Sequence, residues 1–137
     1  MLSGQIMSSM KIEGVTVREI LDWPEYYFDE LVLLDDPIVV QVGSAEVLGQ
    51  FSLKNQVLVV ELAQIDGGGE GVLRSISVVA QHIAKIKKAT RIDCIVYATN
   101  CAVPNMKLRA YLEKVGFEVK NIEQKGEAYF KEFAVAT

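Results

Sequence analysis

The chain has 137 residues, with 14 Lys plus Arg against 18 Asp plus Glu, a formal net charge of −4 and a half-hydrophobic composition. That is the composition of a folded domain, and the modest negative total argues against a dedicated nucleic-acid binder, which carries a clear basic excess. The charge is unevenly spread, −9 over residues 1–70 and +5 over residues 71–137, which suggests different partners for the two halves, although solvated faces alone produce such splits.

Residues 1–13 read as a loose lead-in or an edge strand. Val15 to Asp22 reads as a short helix, broken by Trp23-Pro24, and Pro24 is placed to open a second helix running to about Leu34. Ile38 to Val42 is β-branched and apolar, and Ala45 to Leu53 forms the next strand, between turns at Gly43-Ser44 and Lys54-Asn55-Gln56. Val57 to Ile65 is apolar on both sides, which predicts a central, doubly covered strand. Asp66 to Gly71 then holds four of the ten glycines.

From Val72 to about Ala89 the period becomes helical, with Val72, Ile76, Val79, Ile83 and Ile86 on one stripe. Ile92 to Ala98 is another buried strand. Pro104 starts a helix that stops at Gly116, and Phe117 to Ile122 and Ala128 to Val135 close the chain as a hairpin around Lys125-Gly126. The order predicts one α/β domain over residues 1–137, with a mixed sheet flanked by helices.

Several classes are excluded by counting. The longest apolar runs, Val57 to Val60 and Ile76 to Ala80, are too short to span a bilayer. Met1 to Met10 lacks the layout of a signal peptide. Two cysteines, Cys94 and Cys101, without CxxC spacing and with one histidine, His82, argue against a disulfide framework or a zinc site. A cytoplasmic, reduced, metal-free protein is the expectation, with neither nucleic acid nor membrane as partner.

A strand, a glycine-rich loop and a long helix in succession form a recurrent anion site, because the loop amides and the helix N-terminus converge on one point. The loop lacks a Walker ending and a full dinucleotide fingerprint. A plain turn is the alternative. Downstream, Asn105 to Phe117 (NMKLRAYLEKVGF) carries Asn105, Glu113, Lys114, Gly116 and Phe117 in the register of the GNAT superfamily of N-acetyltransferases, which it resembles. The element order from residue 15 to residue 135 resembles that family's core too.

The resemblance implies a mainly antiparallel sheet with a gap between two strands in which acetyl-CoA lies. Leu62 to Ile65 would hold the pantetheine arm, and Gly67, Gly68, Gly69 and Gly71 the pyrophosphate, with Asn105 also on the cofactor side. The family's Gln/Arg-x-x-Gly-x-Gly/Ala pattern fits at Gln64 to Gly69, or two residues later with Gly69-Glu70-Gly71 opening the helix; both registers stay open. Asp66 and Glu70 bring negative charge to this loop, and Arg74, one turn in, offsets part of it. Lys107 and Arg109 are candidates for a 3′-phosphate. Lys85, Lys87, Lys88 and Arg91 sit about 25 Å away at the helix C-terminus, where they complement the dipole.

Family members use a carboxylate on the central strand to deprotonate an amine. Glu61 is the only acid within Val57 to Ile65 and is the base candidate, with a pKa expected to be raised on so apolar a strand. The family's acidic Tyr falls at Leu112; Tyr111 is adjacent, rotated by about 100°, and completes the catalytic pair of candidates. The implied function is direct acetyl transfer from acetyl-CoA to a small-molecule or peptide amine, with the C-terminal strands available for a homodimer. The alternative is a GNAT-like binding or assembly protein without catalysis, of the sort tailed phages encode.

Overall fold

The computed structural model describes residues 15–34, 37–42, 45–66, 70–98 and 106–136. In chain order these form β1 (Val15–Thr16), α1 (Val17–Leu21), α2 (Glu25–Leu34), β2 (Ile38–Val42), β3 (Ala45–Lys54), β4 (Val57–Asp66), α3 (Glu70–Ile86), β5 (Arg91–Val96), α4 (Met106–Lys114), β6 (Glu118–Ile122) and β7 (Gly126–Ala134). The strands join in one sheet, ordered β1-β2-β3-β4-β5-β7-β6. Pairing is parallel for β1 with β2 and for β4 with β5, and antiparallel elsewhere. The mixed, mainly antiparallel α/β sheet flanked by helices is the architecture the sequence implied.

The elements differ from expectation mainly at their ends. Val15 and Thr16 pair with Val40 and Gln41 instead of opening a helix. Thr16 then caps α1: the Glu19 N–H donates to its Oγ1 at 3.2 Å, and its own N–H donates to Glu19 Oε1 at 3.0 Å. Two orphan donors are thereby satisfied reciprocally. Thr16→Ala should cost about 1 kcal/mol, read as a lower urea midpoint at unchanged slope. The third helix begins at Glu70, not Val72, and so takes Gly71 into its first turn. The reading of residues 1–13 lies outside the described residues.

Strand parity explains where the core sits. Ile38 and Val40 on β2, Val47 and Phe51 on β3, Leu58, Val60 and Leu62 on β4, and Ile92, Cys94 and Val96 on β5 share one buried face. Against it pack Ile20 of α1, Phe28 and Leu31 of α2, Val79 and Ile83 of α3, and Leu108 and Leu112 of α4. β4 is therefore not covered by helices on both sides among the described residues. Its alternate residues Val59, Glu61 and Ala63 stay partly exposed on the opposite face. Apolar composition on that second face made the strand read as doubly buried.

Turn chemistry sets the registers. Asn55 and Gln56 both take positive φ (52° and 66°) between Lys54 and Val57, the backbone that a two-residue hairpin turn demands. Gly116, at φ 99°, ends α4 by allowing the Phe117 N–H to reach back to the Leu112 carbonyl at 2.9 Å.

Candidate functional site

Glu61 lies on the helix-free face of β4, its side chain 13% exposed. Two donors meet on one of its oxygens. The Tyr97 hydroxyl, just beyond β5, donates to Glu61 Oε2 at 2.6 Å, and the Lys125 ammonium, from the β6–β7 turn, donates to the same atom at 2.6 Å. Burial acts to raise the carboxyl pKa, but hydrogen bonds from Lys125 and Tyr97 and the charges of Lys125 and Lys54 together outweigh it, and the group titrates below its ordinary value. The expected raised pKa is thus corrected to a lowered one. For Tyr97 every influence acts in one direction: burial, the bond to Glu61 and the Glu61 charge all push the phenol up. At neutral pH the pair is a carboxylate holding a protonated phenol.

The backbone beside Glu61 changes partners. The β4–β5 ladder runs from Val57 opposite Arg91 to Leu62 opposite Val96, and the Tyr97 N–H closes it on the Leu62 carbonyl at 2.9 Å. β4 continues for four residues to Asp66, held there by β3 through Leu48 opposite Ala63 and Glu46 opposite Asp66. Between those two pairs β4 carries one residue more than β3, a bulge that bends the strand and re-aims it. The last stretch of β4 therefore pairs along one edge among the described residues, starting two residues after Glu61, at Ala63.

No family model matches the chain, and no curated protein matches it. Among solved structures it is similar to nourseothricin acetyltransferase, at 21% identity over 68% of this chain and 58% of that one, with a TM-score of 0.43. It is also similar to Ard1 from Thermoplasma volcanium, at 14% identity over 68% of this chain and 64% of that one, with a TM-score of 0.37. The chain spans less than two thirds of the length of either.

The remaining sequence candidates fall in three places. Gly71 is in the first turn of α3, where a Cβ built on it would meet nothing within 4 Å. Gln64 is in the last stretch of β4, past its ladder with β5. Leu62 is buried, and its carbonyl is already taken by Tyr97. Gly67, Gly68, Gly69 and Asn105 lie outside the described residues, as does Cys101.

Arg74 and Tyr111 belong to a cavity of about 230 Å³ on the helical side, between α3 and α4, floored by Val60, Leu62 and Cys94. The sheet therefore stands between Tyr111 and Glu61, and the two proposed catalytic side chains are not brought together. Parity decides this: Glu61 alternates with Val60 and Leu62, so it points the other way. Leu112, where the sequence resemblance would put a tyrosine, is fully buried core. Arg109 donates from Nε to the Tyr129 hydroxyl at 3.4 Å, which directs it inward. Burial pushes the Cys94 thiol up to about 12, so it is no thiolate nucleophile at neutral pH. The half-buried His82 packs edge-on against Phe28, ring centroids 5.3 Å apart, instead of standing in solvent.

Tyr97 and Lys125 are what sequence reasoning missed. Tyr97 was readable as the same-face neighbour of Ile95, which pairs with Glu61. Lys125, read only as a turn residue, reaches Glu61 across 64 positions. No local pattern carries that contact. Among the described residues no group of three or more His, Cys, Asp or Glu is placed to hold a metal, and no helix is long and apolar enough to cross a membrane.

Proposed function

We propose that the chain is an acyl-CoA-dependent N-acyltransferase that passes an acetyl group directly to the amine of a small molecule or peptide. The observation that carries this reading is Glu61: a carboxylate kept ionised and held by two hydrogen bonds, one residue before the last β4 residue paired to β5. An acyl thioester, when bound, supplies the activated carbonyl. The one-sided stretch of β4 fits the arm of such a donor, whose amides need unpaired strand edge. The start of α3, open beside Gly71, fits its pyrophosphate, since a helix N-terminus favours anions.

The chain's own residues then divide the proton work. Glu61 takes a proton from the acceptor ammonium, leaving an amine lone pair to attack. Tyr97, bonded to Glu61 and kept protonated, holds the proton that a departing thiolate needs. A direct transfer suits a site whose described cysteine is buried and protonated.

Acetyl-CoA and CoA should raise the thermal midpoint and give saturable heat in calorimetry; at 100 times Kd the stabilisation is about 2.7 kcal/mol. Absence of both signals at millimolar ligand would sink the proposal. Gly71→Ala sharpens the test. It should stabilise the unliganded protein by roughly 0.5–1 kcal/mol through helix propensity, yet weaken acetyl-CoA binding by placing a methyl in the open space at the helix start.

The fully buried Leu112 favours a second reading, a fold of this kind that binds without catalysing. Acetyl-CoA binding without transfer to any amine in a broad panel would select it.

A further inference from the structure

We propose that Lys125 is a self-acylation site, and that an acyl thioester of coenzyme A acylates the Lys125 Nζ at Glu61. This deepens the transferase reading and rests on it. An acceptor amine has to sit on the base that deprotonates it, and the chain's own ammonium already does so. Lys125 Nζ lies 2.6 Å from Glu61 Oε2, the oxygen that also accepts from Tyr97. The amine is the accessible partner, its side chain 49% exposed against 13% for Glu61.

Lys125 is not a wandering surface residue. The three-residue loop between Ile122 and Gly126 closes with the Lys125 N–H donating to the Ile122 carbonyl at 2.9 Å. Gln124 at φ 67° and Gly126 at φ 86° hold the left-handed backbone this tight turn requires. An ion pair alone does not mark such a site. Lys87 pairs with Asp29, but beyond the C-terminal end of α3, a helix's length from the place where β4 and β5 part. Lys131 is turned to the helical side, donating to the Val115 carbonyl at 2.5 Å.

The chemistry balances. The Lys125 ammonium loses one proton to Glu61, and the freed lone pair forms the C–N bond to the acyl carbon as the C–S bond breaks. The sulfur leaves with the bonding electrons and takes up the proton held by the Glu61–Tyr97 pair. The second nitrogen proton goes to water, leaving an amide on Lys125, a free thiol and a released proton. The amide carries no charge, so Glu61 loses its nearest cation. Lys54 on β3 and the Tyr97 phenol then remain as the titratable groups acting on it.

The test is site-resolved peptide mass spectrometry of the intact chain incubated with acetyl-CoA, beside calorimetry of acetyl-CoA binding. Acetylation at Lys125 should outpace that at Lys107 and Lys114, exposed on α4, by at least about tenfold, and Glu61→Gln should abolish the advantage. Excess butylamine should slow it by competing for Glu61. Independently of any donor, Lys125→Gln should move the Glu61 titration, followed by carbon-13 NMR, to higher pH. If acetyl-CoA binds but Lys125 reacts no faster than Lys107, or equally fast without Glu61, the self-acylation is overturned and the transferase reading stands. An unmoved Glu61 titration in Lys125→Gln overturns it as well. No acetyl-CoA binding overturns both.

Discussion

Glu61→Gln should lower kcat/KM for acetyl transfer by about 10²–10⁴-fold, the usual contribution of a positioned general base, while calorimetric affinity for acetyl-CoA stays unchanged. The substitution keeps the size of the side chain and an oxygen for Tyr97, but removes the proton acceptor. The pH dependence carries more information than the single rate. In the native chain Glu61 titrates below its ordinary value, so the acid limb of kcat/KM should fall below the usual carboxylate range. Lys125→Met removes two of the influences that lower it, leaving burial with less opposition, and should shift that limb to higher pH. Stability follows the same sign. A carboxyl whose folded pKa is depressed stabilises the fold above its unfolded value and loses that contribution as the pH falls through the folded one. Glu61→Gln should therefore flatten the acid side of the stability curve. An unchanged profile in both variants would remove Glu61 from the reaction.

How much of this could be read beforehand depended on whether the signal was local. The strands from Ile38 to Val42 and from Val57 onward, and the long amphipathic helix, were readable because periodicity and turn residues act within a few positions. Thr16 was not. Its capping role shows only once Glu19 is seen to answer it, and the helical reading of Val15 to Asp22 takes in Val15 and the cap itself. Glu61 was found because an acid among valines and leucines stands out. The direction of its pKa was misjudged because the neighbours that set it come from other strands: Tyr97 by lateral pairing and Lys125 by a hairpin tip folding back. Tyr111 illustrates the converse. A helix position next to a family position is a neighbour in sequence, but the α4 register turns Tyr111 toward the cavity above Val60, on the wrong side of the sheet for Glu61. Local pattern located the elements, and tertiary pairing decided which polar groups meet.

Tyr129 ties α4 to the sheet, and its removal is the second large effect. Tyr129→Ala should destabilise the protein by about 3–5 kcal/mol, the cost of truncating a fully buried aromatic side chain. Tyr129 is fully buried on β7, opposite Val96 of β5, and its ring fills the layer between the sheet and α4. Its hydroxyl donates to Glu113 Oε2 at 2.8 Å and accepts from Arg109 Nε at 3.4 Å, so the same residue packs and pins α4. Tyr129→Phe separates the two contributions. It keeps the ring and should cost only about 1 kcal/mol, because the exposed Glu113 can exchange the lost donor for water. Against a total stability of roughly 5–15 kcal/mol, the alanine variant should unfold at a much lower urea concentration, whereas the phenylalanine variant should stay close to the parent. Equal losses in the two variants would mean that the hydroxyl network, not the packed ring, holds α4 to the sheet.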